Sequence, residues 1–130
     1  MLPALGIDYG RAKIGIALAT GPLAEPLSTI PTSRATLLLP KIVFQYNIAT
    51  LVVGLSQDSI DKEIHKFIIN LQNVSSLSKQ KIIFQDETLT THDAINALMH
   101  SSPKRRKTRE HSVAAAIILQ SWLDSLPLGM

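Results

Sequence analysis

Cysteine is absent from this 130-residue chain, which excludes disulfides and thiolate metal sites and is compatible with a reducing compartment. Aromatic residues are scarce, 5% against 45% hydrophobic residues in all, so the core must be built mainly from aliphatic side chains. No apolar run approaches the roughly 18 residues that a membrane-spanning helix needs. Asp8 also interrupts the amino-terminal segment before a secretory hydrophobic region could form. These absences lead us to expect a cytoplasmic protein with no membrane partner, folded as one domain over residues 1–130.

Charge of either sign is sparse, 18% in total, and the formal net charge is only +3. That small excess is nevertheless local. Lys104, Arg105, Arg106, Lys107 and Arg109 all lie in "PKRRKTRE", and without them eight basic residues face ten acidic ones. A cationic patch on a nearly neutral body points to a polyanionic partner, most simply nucleic acid, although a charge run can equally be a solvated loop.

The chain opens with "LGIDYGRAKIGIAL", residues 5–18, in which apolar and small residues alternate on either side of a turn. This reads as two strands, the first ending on Asp8. "EPLSTI", from Glu25 to Ile30, reads as a third strand, placed at an edge or a strand start by Pro26. "TSRATLLLPKIVFQYN" has helical character, firm only after Pro40, and "IATLVVGL", residues 48–55, reads as a central strand covered on both faces. Ile60, Ile64, Phe67, Ile68 and Leu71 then share one helical face, and "KIIFQDE" is a short strand ending in two carboxylates.

Thr90 and Asp93 form a capping box for a helix over "TLTTHDAINALMH". The basic stretch reads as the connection to a last buried helix, "HSVAAAIILQSWLD", residues 111–124. The sum is an α/β domain with helices packed on a mixed sheet.

Two strands end on acids, Asp8 on one and Asp86 with Glu87 on the other. Carboxylates brought together repel unless a cation joins them, so their convergence would favour Mg²⁺ or Mn²⁺. The plainer alternatives are that Asp8 forms a turn and that Asp86 and Glu87 cap the following helix. The glycines match neither a dinucleotide fingerprint nor a P-loop. His65, His92, His100 and His111 lack the spacing of a zinc helix, and Phe67 and Trp122 read as core.

"LGIDYGRAKIGIAL", "LVVGL", "DETLTTHDA" and "HSVAAAIILQSWLD" resemble, in the same order and over nearly the whole chain, the YqgF/RuvX family of RNase H-like proteins. That family is assigned both as Holliday junction resolvases and as nucleases of the 16S rRNA precursor. The resemblance implies a ribonuclease H-like fold with a mixed five-stranded sheet flanked by helices, and a nuclease that trims the 5′ end of pre-16S rRNA.

It further implies that Asp8 is the primary metal-binding acid, and that Asp86 and Glu87 occupy the second acidic motif, with Glu87 the metal-facing member. Where the family carries an Asp at the start of its last helix, this chain has His111, preceded by Glu110. The implied catalytic set is Asp8, Glu87 and His111, around a two-metal site of Mg²⁺ or Mn²⁺ to which Asp86 and Glu110 are also candidate ligands. Arg11, Lys13 and the five basic residues at 104–107 and 109 are the candidate contacts to nucleic acid. The alternatives are a resolvase acting on branched DNA and a noncatalytic RNA-binding ribosome-assembly factor; the oligomeric state is a monomer or a homodimer.

Overall fold

The computed structural model describes residues 1–55, 60–74, 77–86 and 103–127, with the backbone alone at 74, 78 and 103–109. Five strands form one sheet: β1 (Ala4–Tyr9), β2 (Lys13–Ala19), β3 (Glu25–Pro31), β4 (Thr50–Leu55) and β5 (Lys81–Asp86). Their order is β3-β2-β1-β4-β5. β1 pairs with β2 and β2 with β3 in antiparallel fashion, whereas β1, β4 and β5 run parallel. The parallel connections run through helices α1 (Ala35–Tyr46) and α2 (Asp61–Val74), and α3 (Pro103–Asp124) follows β5.

The alternation of β1 explains the two layers around the sheet. Leu5 and Ile7 join Ile14, Ile16, Leu51 and Val53 in a core with Leu39 and Val43 of α1 and Ile64, Ile68 and Leu71 of α2. The intervening positions are small. Ala4, Ala17, Ala19 and Val52 pack instead against Ala115, Ile118, Leu119 and Trp122 of α3. Successive strand residues point to opposite faces, so one strand supplies a bulky face and a slim one.

Several expectations hold. The stripe from Ile60 to Leu71 packs against the α1/α2-side core, and Trp122 is buried. β3 is an edge strand with Pro26 and Pro31 in it, and Leu27 is an extra residue between the pairs Ile16↔Ser28 and Ala17↔Pro26. Proline and a bulge on an edge both discourage pairing with another chain.

Three boundaries differ from the sequence reading. The central strand is β1, while the apolar run of β4 lies one place over; burial on both faces marks an interior strand without ranking it. α1 begins at Ala35, five residues before Pro40, and ends on Asn47 in the left-handed conformation (φ 53°), whose N–H donates to the carbonyls of Val43 and Phe44. α3 begins at Pro103, so the basic stretch is helical and continuous with the buried helix. Proline suits the first turn of a helix, where its missing N–H costs nothing. The capping box at Thr90 and Asp93, with the helix expected there, lies outside the described residues, as do His92 and His100.

Candidate active site

Asp8 ends the slim face of β1, directly across the ladder from Gly15 of β2. The turn beyond it is fastened at several points. The Thr32 hydroxyl donates to the Gly10 carbonyl at 2.7 Å, and the Thr32 N–H to the Ala12 carbonyl at 3.0 Å. On the opposite face the Tyr9 and Phe67 rings lie 5.2 Å apart, and the Arg11 guanidinium meets the Glu63 carboxylate at 3.2 Å. Local chemistry therefore holds the strand end that carries Asp8.

α3 crosses this end of the sheet unusually closely. A Cβ added at Gly6 would come within 2.6 Å of the Ala115 carbonyl oxygen and 2.8 Å of the Leu119 Cβ, distances that real side chains do not reach. At the loop end, Gln120 fixes the helix by accepting from the Ala24 N–H at 2.8 Å and donating to the Pro22 carbonyl at 3.0 Å.

The result is that His111 lies against Asp8, with Nδ1 3.3 Å from the carboxylate Oδ2. The Asp8 side chain is only 17% exposed, against 39% for His111, so the carboxylate is the more sheltered partner. The hydrogen bond to Asp8 holds the His111 pKa above its ordinary value; burial works against that, the charges of Asp8 and Glu110 add to it, and Lys13 opposes it.

Gln85 reaches α3, where its side-chain amide donates to the Ser121 hydroxyl at 3.2 Å, while the Phe84 ring stacks on His65 of α2 at 4.6 Å. By alternation Asp86 belongs with Phe84 on the α2 side, exposed, so it does not converge with Asp8. Glu87 lies outside the described residues. Glu110 is exposed, next to His111. Lys13 is exposed at the start of β2, close enough to act on His111. Arg11 is bound to Glu63 rather than standing open beside Asp8.

Lys104, Arg105, Arg106, Lys107 and Arg109 occupy the stretch of α3 just before the Asp8 contact; they lie within the helix and do not precede it. Sequence reasoning missed Glu63 as the partner of Arg11. The close helix seat at Gly6 has a readable signal, the small residues at alternate positions of β1 and β2.

Among the described residues no three His, Asp or Glu side chains gather into a metal-binding group. The Asp8–His111 pair still suits one ion. Adjacent ligands of an octahedral ion with bonds of about 2.1 Å lie roughly 3 Å apart, close to the 3.3 Å between these two donors. One oxygen and one imidazole nitrogen form a set that Mn²⁺ accepts more readily than Mg²⁺.

An acid closing the central strand beneath a long helix, in a sheet ordered β3-β2-β1-β4-β5, defines the class: this is a ribonuclease H-like fold. Solved structures agree. The chain resembles Thermus thermophilus RuvC in complex with a Holliday junction substrate (TM-score 0.57, 12% identity, 90% of this chain and 92% of that one). It also resembles the fowlpox virus Holliday junction resolvase (TM-score 0.59, 13% identity, 96% and 100%).

Family membership is more specific, for the RuvX family model, described as Holliday junction resolvase, matches residues 3–125, and the chain belongs to that family. A protein of Rickettsia rickettsii named "Putative pre-16S rRNA nuclease" is 35% identical over 95% of this chain and 87% of its own length. One of the same name from onion yellows phytoplasma is 36% identical over 95% and 90%. The chain is accordingly a phosphodiester hydrolase of a nuclease family, with nucleic acid as its substrate. Nucleases of this fold typically depend on metal ions. None of the described helices is long and apolar enough to cross a membrane.

Proposed function

We propose that this chain is a divalent-metal-dependent nuclease, a single RNase H-like domain over residues 1–130 that processes the 5′ end of pre-16S rRNA in the cytoplasm. The observation that carries the reading is the 3.3 Å approach of His111 to Asp8 on the slim face of the sheet. The names and coverage of the relatives support the rRNA substrate.

Asp8, His111 or its neighbour Glu110, and Glu87 would hold Mg²⁺ or Mn²⁺ in a one- or two-ion site. Such ions supply an activated water and stabilise the charge that develops on the scissile phosphate. The chain's own residues position and screen. The hairpin fixes the Asp8 carboxylate, and His111 holds it through the contact at 3.3 Å. The basic residues of α3 hold the phosphate backbone next to that point. In the reaction the oxygen of water bonds to phosphorus as the bond to the 3′ oxygen breaks, which leaves a 3′-hydroxyl and a 5′-phosphate.

A second reading, cleavage of branched DNA, is favoured by the family description and by the likeness to resolvases in fold. Two-fold symmetric junctions call for a homodimer, whereas trimming an rRNA end needs only a monomer. The test is to incubate the purified protein with a 5′-extended 16S precursor and with a four-way junction, in Mg²⁺ and in Mn²⁺. Cleavage of the precursor, stronger in Mn²⁺ and absent from Asp8→Asn, supports the first reading. Cleavage of the junction alone supports the second, and cleavage by neither protein under any condition favours a noncatalytic RNA-binding factor.

A further inference from the structure

Gly15 carries no side chain, yet it stands directly opposite Asp8 in the β1–β2 ladder. A Cβ built on it would collide with the carbonyl oxygen and carbon of His111 and lie 2.7 Å from the amide nitrogen of Ser112. These are backbone atoms of a helix, which cannot rotate away as the end of a flexible side chain can. The peptide joining residues 111 and 112 therefore rests on the bare Cα of Gly15. Gly6 receives the Ala115 carbonyl in the same manner, one helical turn further along α3.

The two seats differ in what they carry. The Gly6 seat is surrounded by core, since Ala115 and Leu119 are fully buried. At the Gly15 seat the residue whose backbone is held is the one whose side chain meets Asp8.

We propose that Gly15 is a positioning residue of the nuclease centre: by admitting the His111 peptide against β2, it sets the height of α3 and holds the residue-111 side chain at Asp8. The proposal rests on the reading of Asp8 and His111 as metal ligands. Because the seat grips backbone alone, it fixes where a ligand stands and leaves the choice of that ligand to the side chain.

The experiment compares Gly15→Ala with Gly6→Ala. Each added methyl strikes the same helix, so both variants lose thermal stability. In Gly15→Ala we expect Mn²⁺ affinity, measured by calorimetry without RNA, to fall at least about tenfold, as when a group that orients a metal ligand is removed. Turnover (kcat) should drop about 100-fold, as for a misplacement near 1 Å, with KM for RNA nearly unchanged. Gly6→Ala strikes α3 one turn further from Asp8, so it should lose at least about tenfold less of both values than Gly15→Ala.

Equal losses in the two variants, or unchanged Mn²⁺ affinity in Gly15→Ala, would overturn the proposal. A second measurement is independent of whether Gly15→Ala folds. In the unsubstituted chain a strong nuclear Overhauser effect is expected between the Gly15 α protons and the Ser112 amide proton, and its absence overturns the proposal as well. An unsubstituted protein that binds no Mn²⁺ defeats the underlying reading of the site instead, and the proposal falls with it.

Discussion

The two faces of the sheet are made from the same strands and do opposite work. Toward α1 and α2 the strands present Leu5, Ile7, Ile14, Ile16, Leu51 and Val53, all fully buried. Toward α3 they present Ala4, Gly6, Asp8, Gly15 and Ala17, which bury little apolar surface. The bulky face contributes most of the hydrophobic stabilisation, at roughly 25 cal/mol per Å² of apolar surface. The slim face gives some of that up so that α3 can approach closely enough to bring a side chain to Asp8. If the proposed site at Asp8 holds, stability and chemistry lie on different faces and are separable by mutation.

The largest separation is expected between neighbours on β1. Asp8→Asn preserves shape and removes the charge, so cleavage of RNA should fall by more than about 100-fold, beyond the effect of losing even an outer partner of a metal ligand. RNA affinity should stay near that of the unsubstituted chain, and the loss of thermal stability should be small beside that of Ile7→Ala. Activity surviving in Asp8→Asn would move the reactive centre away from this face.

Ile7→Ala should do the reverse. Its side chain is fully buried among residues of the bulky face, and truncation costs about 2–5 kcal/mol through lost transfer energy and a residual cavity. Turnover per folded molecule should be retained, which urea unfolding combined with active-site titration would check. If Ile7→Ala lost turnover in the folded state, the division between faces would be weaker than the packing implies.

This division also explains what the sequence could and could not disclose. Branched residues at alternate positions identify the bulky face, so the strands and the stripe of α2 from Ile60 to Leu71 were legible. Asp8 was legible because it ends a strand and because four ordered motifs resemble one family. The slim face gave a fainter signal, since glycine and alanine register as weak strand formers and not as surfaces that admit a helix.

The face that Asp86 takes was not legible, because the face of a residue near a strand end depends on register, which Gln85 and Phe84 reveal only through contacts with α3 and α2. The start of α3 was missed for a related reason. Its first turns are basic without apolar periodicity, and Pro103 serves equally to stop one helix or to start another.

A smaller effect is expected at the junction between the site and solvent. The hydrogen bond to Asp8 raises the His111 pKa above its unfolded value near 6.5. A group whose folded pKa is raised adds stability that is fully present below the unfolded pKa and lost as pH rises through the folded one. In the absence of divalent ions, the margin in Tm of the unsubstituted protein over His111→Gln should therefore be largest below about pH 6.5 and shrink above it. A margin independent of pH would mean that the imidazole does not exchange a proton against Asp8.

The smallest effect concerns the ion pair on the hairpin's other side, Arg11 with Glu63, whose side chains are 67% and 43% exposed. Exposed pairs contribute about 0.2–1 kcal/mol and weaken with salt. A double-mutant cycle of Arg11→Gln and Glu63→Gln should give a coupling in that range, measured by urea unfolding, that fades toward high ionic strength. The same variants sharpen the comparison of faces. Arg11 points to the α2 side and already has a carboxylate partner, so Arg11→Gln should change RNA affinity less than Lys13→Gln, whose ammonium stands on the Asp8 side. A larger loss in Arg11→Gln would mean that RNA reaches around the turn and competes with Glu63, making the hairpin tip part of the binding surface.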